Sequence, residues 1–456
     1  MSKQRYLCGL LAGLWLFSCT RDPNAGSAST SLFTDDTKSE KVSMDTIAEA
    51  YVQLVLEIGL YDPDYVDAYY GPEEWRPDEN EKLQEFPVTR LRKEIEDLQK
   101  QLDHLERDDL IPLHRLRRTF LEKQLIAVAA RIDILAGKQL TFDQESQVLY
   151  DAVAPHHSVE HFEKLLLDLD GALPGAGSVS ERLETFKKEF VIPKEKLDAV
   201  FQAAISEARK RTQLHIDLPA NENFTVEYVT HKPWSGYNWY KGNHFSLIQV
   251  NTDLPIYIDR AIDLACHEGY PGHHVFNVLL ENQMVRSRQW MEFSVYPLFS
   301  PQSLIAEGSA NYGIEVAFPG EERVEFEREV LFKLAGLDPA NTEKYYEIHE
   351  MVTRLSYAGN EAARQYLDGK ISAEQAAEWL TKYALMPPDR AKQRVSFIEK
   401  YRSYVINYNL GQDIVKNYVE SNGGTSDNPA KRWQLFAELL ATPKVASGLI
   451  RQSGSD

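Results

Sequence analysis

The sequence predicts a mainly α-helical protein with one small patch of β structure. Three observations predict it. From residue 45 onward, apolar residues recur at spacings of three and four in one segment after another, the period of a helix with one buried face. Residues 224–230 (FTVEYVT) and 244–250 (HFSLIQV) instead alternate with a period of two and are rich in β-branched and aromatic residues. Nothing repeats at a fixed interval. With 456 residues, 43% of them apolar, the chain is long enough for one large domain or two joined lobes. The change in composition at Asn223 divides it into a helical lobe at 44–222 and a second lobe at 223–456 that holds the β patch.

The first residues read as a processing signal. Lys3 and Arg5 precede an apolar run at 6–17, too short to span a bilayer. The run ends in Leu16-Phe17-Ser18-Cys19, which resembles the bacterial lipobox. Residues 1–18 are therefore expected to be removed and Cys19 lipidated, giving an exported chain anchored to a bacterial membrane through its N-terminus. Residues 19–43 are small, polar and turn-forming, the composition of a tether. With Cys8 removed and Cys19 acylated, only Cys266 remains, so no internal disulfide is expected; Cys266 reads as a buried structural residue. A formal charge of −19 argues against nucleic acid as a partner, since phosphate would be repelled.

In chain order, Ile47, Tyr51, Leu54, Val55 and Ile58 mark a first helix stopped at Gly59. Residues 62–77 are an aromatic loop or a short helix pair. Residues 113–135 form a strong amphipathic helix with Leu116, Phe120, Leu125, Val128, Ile132 and Leu135 inside. Ser178 and Glu181 make a capping box before a helix at 183–190, and Pro193 suits the first turn of a helix at 194–214. His156 and His157 lack a carboxylate motif and read as loop residues. The two alternating stretches read as a hairpin around HKPWSGYNWYKGN, whose Trp239 and Tyr240 are candidate substrate contacts. Further helices are expected at 321–335, 342–355, 360–367, 372–383, 388–407 and 429–442.

The stretch DLACHEGYPGHHVFN at 263–277 carries the chemistry. A histidine followed at once by a glutamate on a helix places a zinc ligand beside a general base. The second ligand of the common spacing comes four residues on, where this chain has Pro271. On an ideal helix His267 and His273 would lie roughly 9 Å apart in rise and about 120° apart in rotation, too far for one ion. Pro271 breaks the helix and Gly272 tolerates the resulting backbone, so the pair reads as a kink that swings His273 back towards His267. His274 is the alternative ligand, or serves behind the ligands or in substrate binding.

A zinc site that hydrolyses needs a third protein ligand and one position left over. Residues 304–318 (LIAEGSANYGIEVAF) place Glu307, Asn311 and Glu315 on one helical face. Glu307 is the expected third ligand. Asn311, one turn later, suits a support for a ligand histidine through its far ring nitrogen. Tyr366 or Tyr312 is the expected donor to an oxyanion, and Arg364 a holder of a substrate carboxylate.

With these residues in view, the chain resembles the bacterial family known as domain of unknown function 885. The resemblance rests on a His-Glu-x-x-Pro-Gly-His-His motif (His267, Glu268, Pro271, Gly272, His273, His274) and a Glu-Gly-x-Ala-x-Tyr helix (Glu307, Gly308, Ala310, Tyr312). A looser third segment, GNEAARQY, ends at Tyr366 and has Glu361 near where glutamine is usual. The resemblance implies a zincin-like, mainly helical metallopeptidase fold around a zinc cleft, acting on peptides. It implies no particular substrate. The rival expectations are a binding lipoprotein without turnover on the same scaffold, and a zinc hydrolase of other amides or esters.

Overall fold

Ser43 opens the first helix, its hydroxyl accepting from the Thr46 N–H at 3.2 Å. Helix α1 (Met44–Gly59) then buries Ile47, Tyr51, Leu54, Val55 and Ile58, the stripe expected from their spacing. The computed structural model describes residues 43–78, 80, 82, 84–105, 111–232 and 234–450. The expected signal segment, Cys19 and all of the tether except Ser43 lie outside the described residues.

Strand β1 (Val66–Tyr69) and a 3₁₀ turn at Glu73–Trp75 follow α1, where an aromatic loop or a short helix pair was expected. Helices α2 (Val88–His104), α3 (Pro112–Leu135), α4 (Phe142–Tyr150), α5 (Val159–Ala172), α6 (Val179–Lys188) and α7 (Leu197–Gln213) complete the first half. The Ser178–Glu181 capping box is present at the start of α6. In α3 the expected interior is partly wrong: Leu116 is 37% exposed and Leu135 is half-buried. The adjacent Arg117, about 100° round the helix, takes the interior place. It is ion-paired there with the buried Glu292 at 2.6 Å.

The β patch differs from the expected hairpin. Strands β2 (Asn223–Val229), β3 (Gly236–Tyr240) and β4 (Phe245–Asn251) form a sheet in the order β2-β4-β3. The two alternating stretches are parallel neighbours, Asn223 opposite Phe245 and Val229 opposite Asn251. The segment read as their turn contributes the third strand, antiparallel to β4. Its aromatic run hid the strand, because no apolar–polar alternation marks GYNWY.

Helices α8 (Asp259–Leu264) and α9 (His273–Leu280) carry the metal motif, and β5 (Val295–Pro297) pairs with β1. Helix α10 (Pro301–Ala317) is followed by α11 (Gly320–Phe326), α12 (Phe332–Ala335), α13 (Thr342–Thr353), α14 (Ala358–Leu367), α15 (Ala373–Tyr383) and α16 (Pro388–Tyr401). At Arg402 the backbone turns left-handed (φ +54°), which ends α16 before the expected limit of 407. Helix α17 (Ile406–Ser421) then starts afresh, and α18 (Pro429–Leu440) and α19 (Ala446–Leu449) close the chain. The sequence reading missed α17.

The described residues form one unit, and the main core takes residues from α1 at one end of the chain to α19 at the other. The expected division at 222/223 falls within that unit, at the change from helices to the β patch. Among the described residues, no helix is long and apolar enough to cross a membrane.

Candidate metal centre

Helix α8 does not end at Leu264. It runs on through a wider π turn at Ala265–Gly269 that contains His267 and Glu268. Tyr270 is extended (φ −118°, ψ 114°), and Pro271 has no N–H to continue the ladder. The Gly272 N–H turns back to the Cys266 carbonyl at 2.9 Å, and α9 begins at His273. Gly272 is pressed so close to this turn that a Cβ would stand 2.0 Å from the His267 carbonyl oxygen. No side chain fits there. The break places His267 Nε2 and His273 Nε2 3.1 Å apart, with the rings perpendicular.

Helix α10 brings the acid. Glu307 Oε2 stands 3.3 Å from His267 Nε2, and Oε1 stands 3.6 Å from His273 Nε2. The Tyr404 hydroxyl, from the 3₁₀ turn before α17, donates to Glu307 Oε1 at 2.8 Å. One turn along α10, Asn311 Oδ1 lies 2.8 Å from His267 Nδ1. The Asn311 amide nitrogen donates to the Tyr408 carbonyl at 2.8 Å, which fixes the other end of the amide as the acceptor. His267 therefore carries its proton on Nδ1 and turns the Nε2 lone pair towards His273 and Glu307.

These atoms fit one small cation. Ligands held tetrahedrally at 2.0–2.1 Å are about 3.3 Å from one another, against the 3.1, 3.3 and 3.6 Å found here. Glu307 Oε2 is buried and accepts no hydrogen bond from a described residue. Two imidazoles and a carboxylate are also a donor set that zinc takes. Burial alone would raise the Glu307 carboxyl and lower the His273 imidazole. Their mutual attraction overrides this: Glu307 is held well below the usual carboxylate range, and His273 is carried up to about 9. Glu268 faces the same point, with a carboxylate oxygen within 4.8 Å of both imidazole nitrogens. Glu307 is the nearer acid.

The cluster opens into a cavity of about 730 Å³ bounded by β3, α6, α8, α10, α16 and α17. Strand β3 is the edge of its sheet and passes directly over Glu268. The Asn238 side chain donates to the Glu268 carbonyl at 2.6 Å. A Cβ at Gly236 would meet Glu268 Oε1 at 2.9 Å, so that glycine makes room for the carboxylate.

Other expected site residues lie elsewhere. Tyr312 is wholly buried against Phe436; it is five residues from Glu307, roughly 140° round the helix. The Tyr366 hydroxyl donates to Glu399 at 2.6 Å on the outer side of α14. Arg364 is buried and bonded to Asp143 at 2.9 Å and to the Ala154 carbonyl at 2.7 Å, a structural anchor. Trp239 packs with its ring tilted against Tyr237 and donates to Gln249 at 3.1 Å, and Tyr240 is buried with its hydroxyl on Glu281; neither lines the cavity. His274 points away from His267, held by Ser246 at 2.8 Å and Glu222 at 3.0 Å.

Two of the tyrosines that do line the cavity, Tyr408 and Tyr404, come from α17 and the turn before it. Their spacing of four ahead of Gly411, in YRSYVINYNLG, is the signal that would have found them. Asp67, Tyr237 and Arg394 also line the cavity and carried no local motif.

No family model matches the chain, and no curated protein matches it. Among solved structures, a protein described as a lipoprotein from Colwellia psychrerythraea is similar over 82% of this chain and 70% of its own, with 14% identity and a TM-score of 0.48. The M32 carboxypeptidase from Deinococcus radiodurans R1 is similar over 89% of this chain and 95% of its own, with 12% identity and a TM-score of 0.41. At these scores neither likeness bears on the site.

Proposed function

We propose that this protein is an exported, lipid-anchored, zinc-dependent peptidase, in keeping with the family of unknown function that its motifs resemble. The observation that carries the reading is the close approach of His267, His273 and Glu307 with Glu268 facing the same point. His267, His273 and Glu307 would hold the ion, which when bound polarises a carbonyl and makes water acidic enough to attack it.

Glu268 accepts a proton from the attacking water and returns it to the leaving amine. Gly236 keeps the space that the Glu268 carboxylate needs for that transfer. Asn311 fixes the tautomer and orientation of His267, and Tyr404 orients the Glu307 carboxylate. Tyr408 lines the cavity beside the cluster and its hydroxyl donates to no described residue, which leaves it to the oxyanion. The open edge of β3 offers backbone groups to an extended peptide.

The test is Glu268→Gln, assayed for metal content and for digestion of a peptide library. Retention of zinc with turnover lowered roughly 10²–10⁴-fold supports the proposal. Unchanged turnover removes Glu268 from the mechanism, and a zinc-loaded wild type that cuts no peptide removes the activity.

A further inference from the structure

Helix α16 presents two arginines, Arg390 and Arg394, to the cavity that holds the metal cluster. Four residues apart, they occupy one face of the helix. Neither makes a hydrogen bond or ion pair to a described residue. Arg394 instead lies against aromatic rings, its guanidinium carbon 4.6 Å from the Phe397 centroid and 5.8 Å from that of Tyr408. Tyr408 is the residue whose carbonyl holds Asn311, so this cation borders the groups that orient His267.

The lack of an acid partner is informative. The chain carries a formal charge of −19, so acids are plentiful. Arg260, which also lines the cavity, has one: Asp263 at 3.1 Å. Burial works against the charge of Arg394, yet a guanidinium stays protonated in proteins. Arg394 is half-buried, and a partly desolvated cation without a counter-charge costs stability, a cost that a ligand supplying the anion would offset. Stacking on rings occupies the guanidinium face and leaves its edge N–H groups for a planar, two-oxygen acceptor.

We propose that Arg394, assisted by Arg390, holds a carboxylate of the substrate, so that the cavity selects peptides bearing a free carboxylate beside the bond that is cut. This rests on the peptidase reading above. The carboxylate has two sources, the C-terminus of the peptide or an acidic side chain.

The experiment measures binding by calorimetry to the zinc-loaded full chain carrying Glu268→Gln, so that no probe is consumed. The first pair of probes is acetyl-hexaalanine as free acid and as C-terminal amide. The second pair is an amidated alanine peptide with one central aspartate, and the same peptide with asparagine. Binding of the free acid about tenfold or more tighter than its amide, lost on adding Arg394→Gln, supports the proposal and names the C-terminus. The same pattern confined to the aspartate pair supports it and names the side chain. Equal binding within both pairs overturns it, as does a preference that survives both Arg394→Gln and Arg390→Gln. The exposed Arg390 provides a substitution that leaves the fold intact if Arg394→Gln does not fold. Library digestion by the wild type separates the two readings. Carboxylate-dependent binding without cleavage sinks the peptidase and leaves the pocket; cleavage indifferent to carboxylates does the reverse.

Discussion

Gly308 and Gly411 meet backbone to backbone where α10 crosses α17. A Cβ on Gly308 would lie 2.3 Å from the Gly411 carbonyl carbon, and one on Gly411 would lie 2.8 Å from the Leu304 carbonyl oxygen. This contact lets Tyr404 reach Glu307 and lets the Tyr408 carbonyl receive Asn311. Alanine in a helix is ordinarily favoured over glycine by about 1 kcal/mol. At Gly308 the clash outweighs that gain, and Gly308→Ala should destabilise the fold by about 1–3 kcal/mol and lower zinc retention. Thermal denaturation together with metal content checks both; a variant more stable than wild type would refute the close crossing.

The hydrogen bond from His267 to Asn311 does not itself touch the proposed ion. Its removal should nevertheless weaken zinc binding, because the imidazole loses its fixed tautomer and orientation. Asn311→Ala is expected to reduce zinc affinity roughly 10–100-fold, read by competition with a chelator. Asn311→Asp, which keeps the acceptor, should lose much less.

Two tyrosines separate the structural reading from the sequence reading. Tyr366→Phe should leave peptide hydrolysis unchanged, since its hydroxyl is spent on Glu399. Tyr408→Phe should lower kcat by about 10²-fold with little change in KM, the pattern of a group that acts only in the transition state. Steady-state kinetics on both variants decides between them.

Glu222 supplies the pH dependence. Burial would raise its carboxyl, but hydrogen bonds from His274, Tyr270 and Arg209 outweigh that and bring it to about 2. A carboxylate depressed by folding adds stability that is fully present above its unfolded value of about 4.5 and is lost as pH falls towards 2. Denaturation midpoints should therefore drop across that window in the wild type. Glu222→Gln should be less stable at neutral pH and flatter below pH 4.5. A parallel acid limb in both proteins would contradict the assignment.

How much of this was legible in the sequence depends on range. Local chemistry reads well: the Ser178 capping box, the stripe of α1 and the consequence of Pro271-Gly272 each follow from a few adjacent residues. Glu307 and Asn311 were also found, because spacing by four on a helix of small residues announces a face turned inward. What depends on distant pairing was hidden. Nothing near Arg117 in the sequence marks it as an interior residue, because its partner Glu292 lies far along the chain. The order β2-β4-β3 is a property of the sheet and of no single strand. The motif around Tyr366 says nothing of its direction, which the packing of α14 on α16 sets by turning its hydroxyl to Glu399.

The most direct test of the account is X-ray absorption at the zinc edge of the purified, zinc-loaded protein. One ion per chain is expected, with two imidazole nitrogens at about 2.0–2.1 Å and a carboxylate oxygen at about 2.0–2.2 Å, and loss of the imidazole scattering from one ring in His273→Ala. Zinc bound without imidazole, or bound identically in that variant, would contradict it.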